Sequence, residues 1–92
     1  MSTKIAEEEI LFVLTSEPRK KILRYLRDKR DYATTHEISE ATGISMGRVG
    51  FHCRELEKRS MVNKILSGGK ARWKITEKGL KAIQEVYERE GV

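Results

Sequence analysis

Apolar residues recur at helical spacing in the first third of the chain. Residues 1–15 are predicted to form an N-terminal helix, but the apolar run 5–14 is wider than the buried face of a helix with one solvated side. A further surface is therefore expected to cover part of it. Ser16, followed by glutamate and proline, is a typical N-cap and predicts a second helix over about 17–29.

Two more capped helical patterns stand on either side of a short turn at Gly43. The first begins at Thr35 and ends at the glycine, a residue that favours helix C-termini. Ser45 caps the second, which extends over about 45–59. Its apolar residues fall at i, i+4 and i+7 and predict the buried face: Val49, Cys53 and Leu56.

After residue 60 the helical spacing gives way to alternation. Residues 61–66 and 71–75 are predicted to be two short strands joined by a glycine turn, with one apolar and one basic face. Residues 32–34 are short enough to be only an extended link. Thr76 caps a last helix over about 76–91.

This order of elements predicts an α+β, mainly α fold. We expect a winged helix-turn-helix with a two-stranded β-hairpin wing, about 61–75, and flanking N- and C-terminal helices. At 92 residues the chain is long enough for one small domain over 1–92 and too short for two.

The net charge of +5 is concentrated in the middle of the chain. Residues 43–74 hold eight basic and two acidic residues, a local charge of +6, whereas residues 1–16 and 32–42 each carry −2. Such a distribution suits a polyanionic partner better than it suits mere solubility.

Little in the sequence favours a metal site, catalysis or a membrane. Cys53 is the only cysteine, so neither an intramolecular disulfide nor a cysteine-cluster zinc site can form, and we expect a small buried side chain there. His36 and His52 stand alone, the second with an expected hydrogen bond within its helix. No P-loop, nucleophile elbow or HExxH motif is present, so we expect no enzyme, cofactor or metal. Without a signal-peptide pattern or an apolar run of about 18 residues, a cytoplasmic, nucleoid-associated protein is expected.

Gly47 and Gly50 lie in the first two turns of the helix predicted over 45–59. In a helix interior each costs roughly 0.5–1 kcal/mol relative to alanine, so a compensating role is expected. Without Cβ atoms they would let the helix backbone approach phosphates or base edges closely. The alternative is that both are tolerated accidents of packing.

Other residues of this helix point away from its predicted buried face. Arg48 could reach a base edge and Arg54 a phosphate, because a guanidinium donates in a bidentate fork. Both could equally be ordinary solvated arginines. Phe51 either contacts a thymine methyl group or packs against the wing or the neighbouring helix.

Basic residues mark the predicted hairpin as a wing that contacts the DNA backbone or minor groove: Lys64, Lys70, Arg72 and Lys74. The alternative is a solvated edge strand, where lysine discourages sheet pairing. Trp73 shares its face with Ile75 and is expected in the core.

Four stretches, SEPRKKILRYL, EISEATGIS, GRVGFHCRELEKRSMV and RWKITEKGLKAI, together resemble the winged helix-turn-helix transcriptional regulators of the ArsR and MarR kind. The resemblance covers about residues 16–83 and implies sequence-specific binding of double-stranded DNA as a homodimer. Metal-sensing members use paired cysteines or His and Asp clusters on the last helix, which this chain lacks, so no metal partner is expected. The expected DNA contacts are Thr35, Ser45, Met46, Gly47, Arg48, Gly50, Phe51, Arg54, Lys64, Lys70, Arg72 and Lys74.

The resemblance also implies that the first and last helices pair with those of a second subunit. The expected dimer interface is Ile5, Ile10, Leu11, Val13, Leu14, Leu80, Ile83, Val86 and Tyr87. The alternative is that these residues close the core of the protomer itself.

We therefore expect a transcriptional regulator, most simply a repressor that blocks a promoter. Two other functions remain open: a winged-helix protein–protein interaction module, and a sequence-indifferent architectural nucleic-acid-binding protein. The sequence identifies neither an operator nor an effector.

Overall fold

The computed structural model describes residues 4–91 of the chain. Its helices are α1 (Glu7–Leu14), α2 (Glu17–Lys29), α3 (Thr35–Thr42), α4 (Met46–Lys58) and α5 (Glu77–Glu90). Its strands are β1 (Ala33–Thr34), β2 (Val62–Ser67) and β3 (Lys70–Ile75). This order confirms the mainly α winged helix-turn-helix. The helix predicted over 1–15 starts later than expected, at Glu7. Residues 1–3 of that prediction lie outside the described part of the chain.

Four helices begin at a hydroxyl side chain that accepts a backbone N–H from the first turn. Ser16 caps α2, Thr34 caps α3, Ser45 caps α4 and Thr76 caps α5. At α3 the Glu37 side chain also accepts the Thr34 N–H at 2.8 Å, which completes a capping box. That backbone hydrogen bond lowers the pKa of Glu37. Because caps are encoded locally, the starts of these helices are readable from the sequence.

The sheet has three antiparallel strands in the order β1-β3-β2, not the two expected. The segment 32–34, predicted to be only a link, contributes β1, in which Ala33 pairs with Trp73. The hairpin itself turns through Gly68 and Gly69, which have φ angles of 60° and 75°. Positive φ at both central residues is what a type I′ turn requires, so glycine is the residue for both places.

The core lies where α1, α2, α4 and α5 meet the base of the sheet. Trp73 is 2% exposed, as expected, and its indole N–H donates to the Thr35 hydroxyl at 3.1 Å. Four of the residues assigned to the dimer interface are instead buried within the protomer: Ile10, Val13, Ile83 and Val86. Since α1 packs directly on α5, these four close the core, which is the alternative stated above.

The wide apolar face of α1 is covered partly by arginines. The Arg19 guanidinium lies 3.6 Å from the centroid of the Phe12 ring and that of Arg59 lies 4.0 Å from it. Such stacking lets a cation cover an aromatic face without leaving water completely. Phe12 therefore joins α1 to α2 and to the end of α4.

Gly79 is the glycine that the protomer's own packing requires. A Cβ atom at this position would lie 2.2 Å from the carbonyl oxygen of Met61 and 2.8 Å from a side-chain carbon of Ile75. The first turn of α5 is thereby seated directly on the backbone that enters β2.

Candidate nucleic-acid interface

Helix α4 divides into a buried face and an open face as its spacing predicts. Val49, Cys53 and Leu56 are fully buried. On the other side Phe51 is 51% exposed, and Met46, the first residue of the helix, is 50% exposed, although both side chains are large and apolar. Arg48 and Arg54 are exposed beside them. The open face thus combines two cations with the apolar ring of Phe51, and Met46 adds an exposed apolar side chain at the start of the helix.

Within the protomer, nothing requires glycine at position 47. A Cβ atom at Gly47 would meet no heavy atom within 4 Å, and one at Gly50 would meet only the Arg54 side chain, 3.2 Å from its Nη1. Packing inside the described residues therefore does not explain Gly47, while Gly50 leaves room for the Arg54 guanidinium above the helix backbone. At both positions no Cβ atom projects from the backbone of α4, so a partner can approach the helix closely.

Of the thirteen lysines and arginines not assigned to DNA contact, seven pair with a carboxylate among the described residues. Lys20 contacts Glu17 and Glu90, both at 2.7 Å, and Arg89 contacts Glu7 at 2.6 Å. Further pairs join Lys29 to Glu37, Lys58 to Glu55, Lys78 to Glu9 and Lys81 to Glu77.

The basic residues assigned to DNA contact differ from these. Within residues 4–91 none of the six forms an ion pair: Arg48, Arg54, Lys64, Lys70, Arg72 and Lys74. Carboxylates therefore leave their charge uncompensated on α4 and on the wing. Such a surface attracts a polyanion.

The wing cations are not equivalent. The Lys64 ammonium lies 5.6 Å from the centroid of the Trp73 ring, and that of Lys74 lies 5.6 Å from the centroid of Tyr32. The Nε atom of Arg72 is buried without a hydrogen-bond partner among the described residues. Lys70 stands exposed beside the turn. We therefore regard Lys70 as the wing residue freest to reach a phosphate.

A cleft of about 410 Å³ opens between the start of α3, the start of α4 and the wing. It is lined by Thr34, Thr35, His36, Met46, Lys70 and Ala71. Three predicted contacts, Thr35, Met46 and Lys70, thus come together from three elements. The Thr35 oxygen accepts the Trp73 N–H, but its hydroxyl hydrogen can still donate. His36 and Ala71 were not predicted, since only the fold brings them beside α4.

Burial shifts the pKa of two side chains on α4, Cys53 and His52. Burial raises the pKa of the Cys53 thiol to about 12, so the thiol is protonated at neutral pH. Burial, helped by the charges of Arg19 and Arg48, lowers the pKa of His52. The Nδ1 atom of His52 is buried without a partner in the described chain, which contradicts the hydrogen bond expected there.

Within residues 4–91 no helix has the length and apolar character to cross a membrane. In the same part of the chain, no three His, Cys, Asp or Glu side chains are grouped so that they could hold a metal ion.

A capped helix-turn-helix, a glycine-tipped wing and basic residues without carboxylate partners on α4 and the wing define a winged-helix nucleic-acid-binding domain. A family model described as winged helix-turn-helix DNA-binding matches residues 15–62. The chain belongs to this family, which confirms the resemblance seen in the sequence. No curated protein matches the chain by sequence.

Solved structures of bacterial regulators share the fold. Diamide-treated YodB from Bacillus subtilis matches with a TM-score of 0.78 and 21% identity over 97% of this chain and 92% of its own. A MepR mutant from Staphylococcus aureus, bound to an oligodeoxyribonucleotide, gives 0.76 and 16% over 92% and 64%. The transcriptional repressor BigR from Xylella fastidiosa gives 0.73 and 18% over 88% and 79%. The chain spans less than two thirds of some of these proteins, 64% for MepR and 53% for another match.

Proposed function

We propose that this chain is a transcriptional regulator that binds double-stranded DNA sequence-specifically as a homodimer, most simply as a repressor. Helix α4 would lie in the major groove with Arg48 and Phe51 at base edges, and the wing would lie on the backbone or in the minor groove. Two copies related by a two-fold axis would read half-sites roughly 10 base pairs apart.

The observation that carries this proposal is the distribution of ion pairs. Among the described residues, seven of the thirteen basic side chains elsewhere pair with a carboxylate, whereas none of the six assigned to DNA contact does. A protein–protein module would have no need to leave such a charge open on α4 and the wing. The oligonucleotide bound to MepR and the repressor role of BigR support the same function by similarity of fold.

The dimer part of the proposal rests on residues that the protomer leaves accessible. Leu11 on α1 and Leu80 on α5 are 42% and 40% exposed, and Ile5, Leu14 and Tyr87 are partly buried. Isolated exposed leucines are common, but here two occur on the paired terminal helices. We propose these five residues as the dimer contact.

Salt dependence tests the phosphate contacts. We expect the affinity for duplex DNA to fall steeply with salt, because each neutralised phosphate contributes about −0.9 to the slope of log K against log salt. Lys70→Ala should reduce that slope by about one. The matched control is Lys58→Ala, which removes a charge already paired with Glu55 at 3.2 Å and should leave the slope unchanged.

Fluorescence anisotropy with labelled duplexes over a salt series gives both slopes. A slope reduced equally in both variants would show that only net charge matters, and an unchanged slope for Lys70→Ala would show that Lys70 contacts no phosphate; either result would overturn the assignment of Lys70. An affinity indifferent to salt would overturn the phosphate contacts altogether.

A further inference from the structure

The wing ends in an unusually exposed apolar side chain. Leu66 is 74% exposed, more than any other large apolar residue in the described chain, whereas Ile65 beside it is 40% exposed. Single exposed apolar residues are common on protein surfaces. Leu66 differs because it stands directly before the turn of a hairpin that the fold directs at nucleic acid.

The pairing of the two strands determines on which face of the hairpin Leu66 lies. Leu66 pairs with Ala71, and Lys64 pairs with Trp73. Since side chains alternate along a strand, Leu66 shares the face whose lower residues, Val62 and Trp73, enter the core. Ala71 lines the cleft between the wing and α4, so this face is the inner face of the wing. Ile65 lies on the outer face.

The tip itself is narrow. Beyond Leu66 the chain turns through Ser67, Gly68 and Gly69, and the two glycines carry no side chains. A tip without side chains can approach the edge of the minor groove closely, with Lys70 and then Leu66 as the first large side chains behind it.

Charge identifies the partner of this tip as DNA and not as a second copy of the wing. Residues 61–75 contain four basic and no acidic residues. Two such wings would repel each other, while phosphates on both edges of a minor groove would attract Lys64 and Lys70 beside Leu66.

We propose that Leu66 inserts into the minor groove flanking each half-site as an apolar wedge that partly unstacks a base step and bends the duplex. This inference rests on the proposed DNA binding and adds a role for the wing. Side chains of this type kink DNA by about 20–90° when inserted between base steps. Flexible TA and CA/TG steps would be preferred there, which adds specificity at bases that no side chain hydrogen-bonds.

The test compares DNA shape in complexes of three proteins. Duplexes recovered by the protein from a random pool carry a donor and an acceptor fluorophore at their ends, and 2-aminopurine replaces adenine in the flanks. The wild type should bend the duplex by at least about 20° and raise 2-aminopurine emission. Leu66→Ser should bind but lose both signals. Ile65→Ser, the same change on the outer face, should keep both.

The outcomes separate this inference from the function on which it rests. Binding by the wild type without bending, or equal bending by Leu66→Ser, would overturn the wedge while leaving the regulator intact. Failure of the wild type to retain any duplex would overturn both. Because both substituted side chains are exposed, folding is expected to survive, and unchanged circular dichroism spectra confirm that the variants are comparable.

Discussion

Arginine serves two different purposes in this small chain. Arg19 and Arg59 stack on Phe12 and hold helices together, whereas Arg48 and Arg54 have no carboxylate or ring partner among the described residues. The sequence does not separate the two groups, because stacking depends on residues far apart along the chain. It did indicate Arg48 and Arg54 correctly as lying off the buried face of α4, since that face follows from spacing alone.

His52 provides a prediction at this scale. Its pKa is lowered by burial and by Arg19 and Arg48, with Glu55 acting in the opposite direction. The unfolded chain then binds the proton more readily than the folded chain, so stability is complete above the ordinary pKa of 6.5 and falls as the pH drops below it. Between about pH 7.5 and about pH 5.5 the wild type should lose more thermal stability than His52→Gln.

Thermal unfolding followed by circular dichroism over that range measures the difference. This pH range lies above the usual pKa values of carboxylates, so their protonation does not obscure the effect of His52. Parallel declines for wild type and His52→Gln would show that His52 does not couple protonation to folding.

Local signals predicted most of the secondary-structure elements. The bounds of α2 and the caps of α4 and α5 follow from serine, threonine and proline positions, since capping involves only neighbouring residues. The strand β1 was missed because two residues carry no periodicity and because its pairing with β3 joins residues far apart in sequence. The role of Gly79 was missed for the same reason.

Two glycines should respond oppositely to the same substitution. Gly47→Ala should stabilise the protein by roughly 0.5–1 kcal/mol, because a Cβ atom meets nothing and the helix gains propensity, yet it should weaken DNA binding. Gly79→Ala should destabilise the protein by about 1–3 kcal/mol, because its Cβ atom would collide with the Met61 carbonyl.

Urea unfolding gives the stabilities, and anisotropy with duplex DNA gives the affinities. If Gly47→Ala gains stability and still binds DNA as tightly as the wild type, the close approach of DNA to the helix backbone at Gly47 is contradicted. Gly79→Ala that unfolds like the wild type would contradict the packing of α5 on Met61.

At the scale of the whole molecule, the fold was predictable and the interface between copies was less so. Spacing identifies a side chain as buried but does not say which surface buries it. Ile10, Val13, Ile83 and Val86 were assigned to a partner although the protomer's own α1 and α5 enclose them. The proposed dimer contact therefore depends on the outward residues of the same helices.

A charge introduced at an outward-facing position of α1 or α5 is expected to dissociate the dimer. Leu80→Glu and Leu11→Glu should shift the protein from dimer to monomer in sedimentation velocity at tens of micromolar. Leu66→Glu, an equally apolar exposed position on the wing, should leave the dimer intact. A wild-type monomer at these concentrations, or dissociation by Leu66→Glu alone, would contradict the assignment of α1 and α5.

The most direct test of the central claim is selection of duplexes from a random DNA pool at physiological salt, with Arg48→Ala, Phe51→Ala and the control Lys58→Ala in parallel. Sequence-specific reading by a dimer through α4 predicts an enriched inverted repeat that Arg48→Ala or Phe51→Ala blurs and Lys58→Ala preserves. Duplexes retained without enrichment would contradict sequence-specific reading and indicate an architectural protein. A pool that is not retained at all would contradict DNA binding and favour a protein-interaction module.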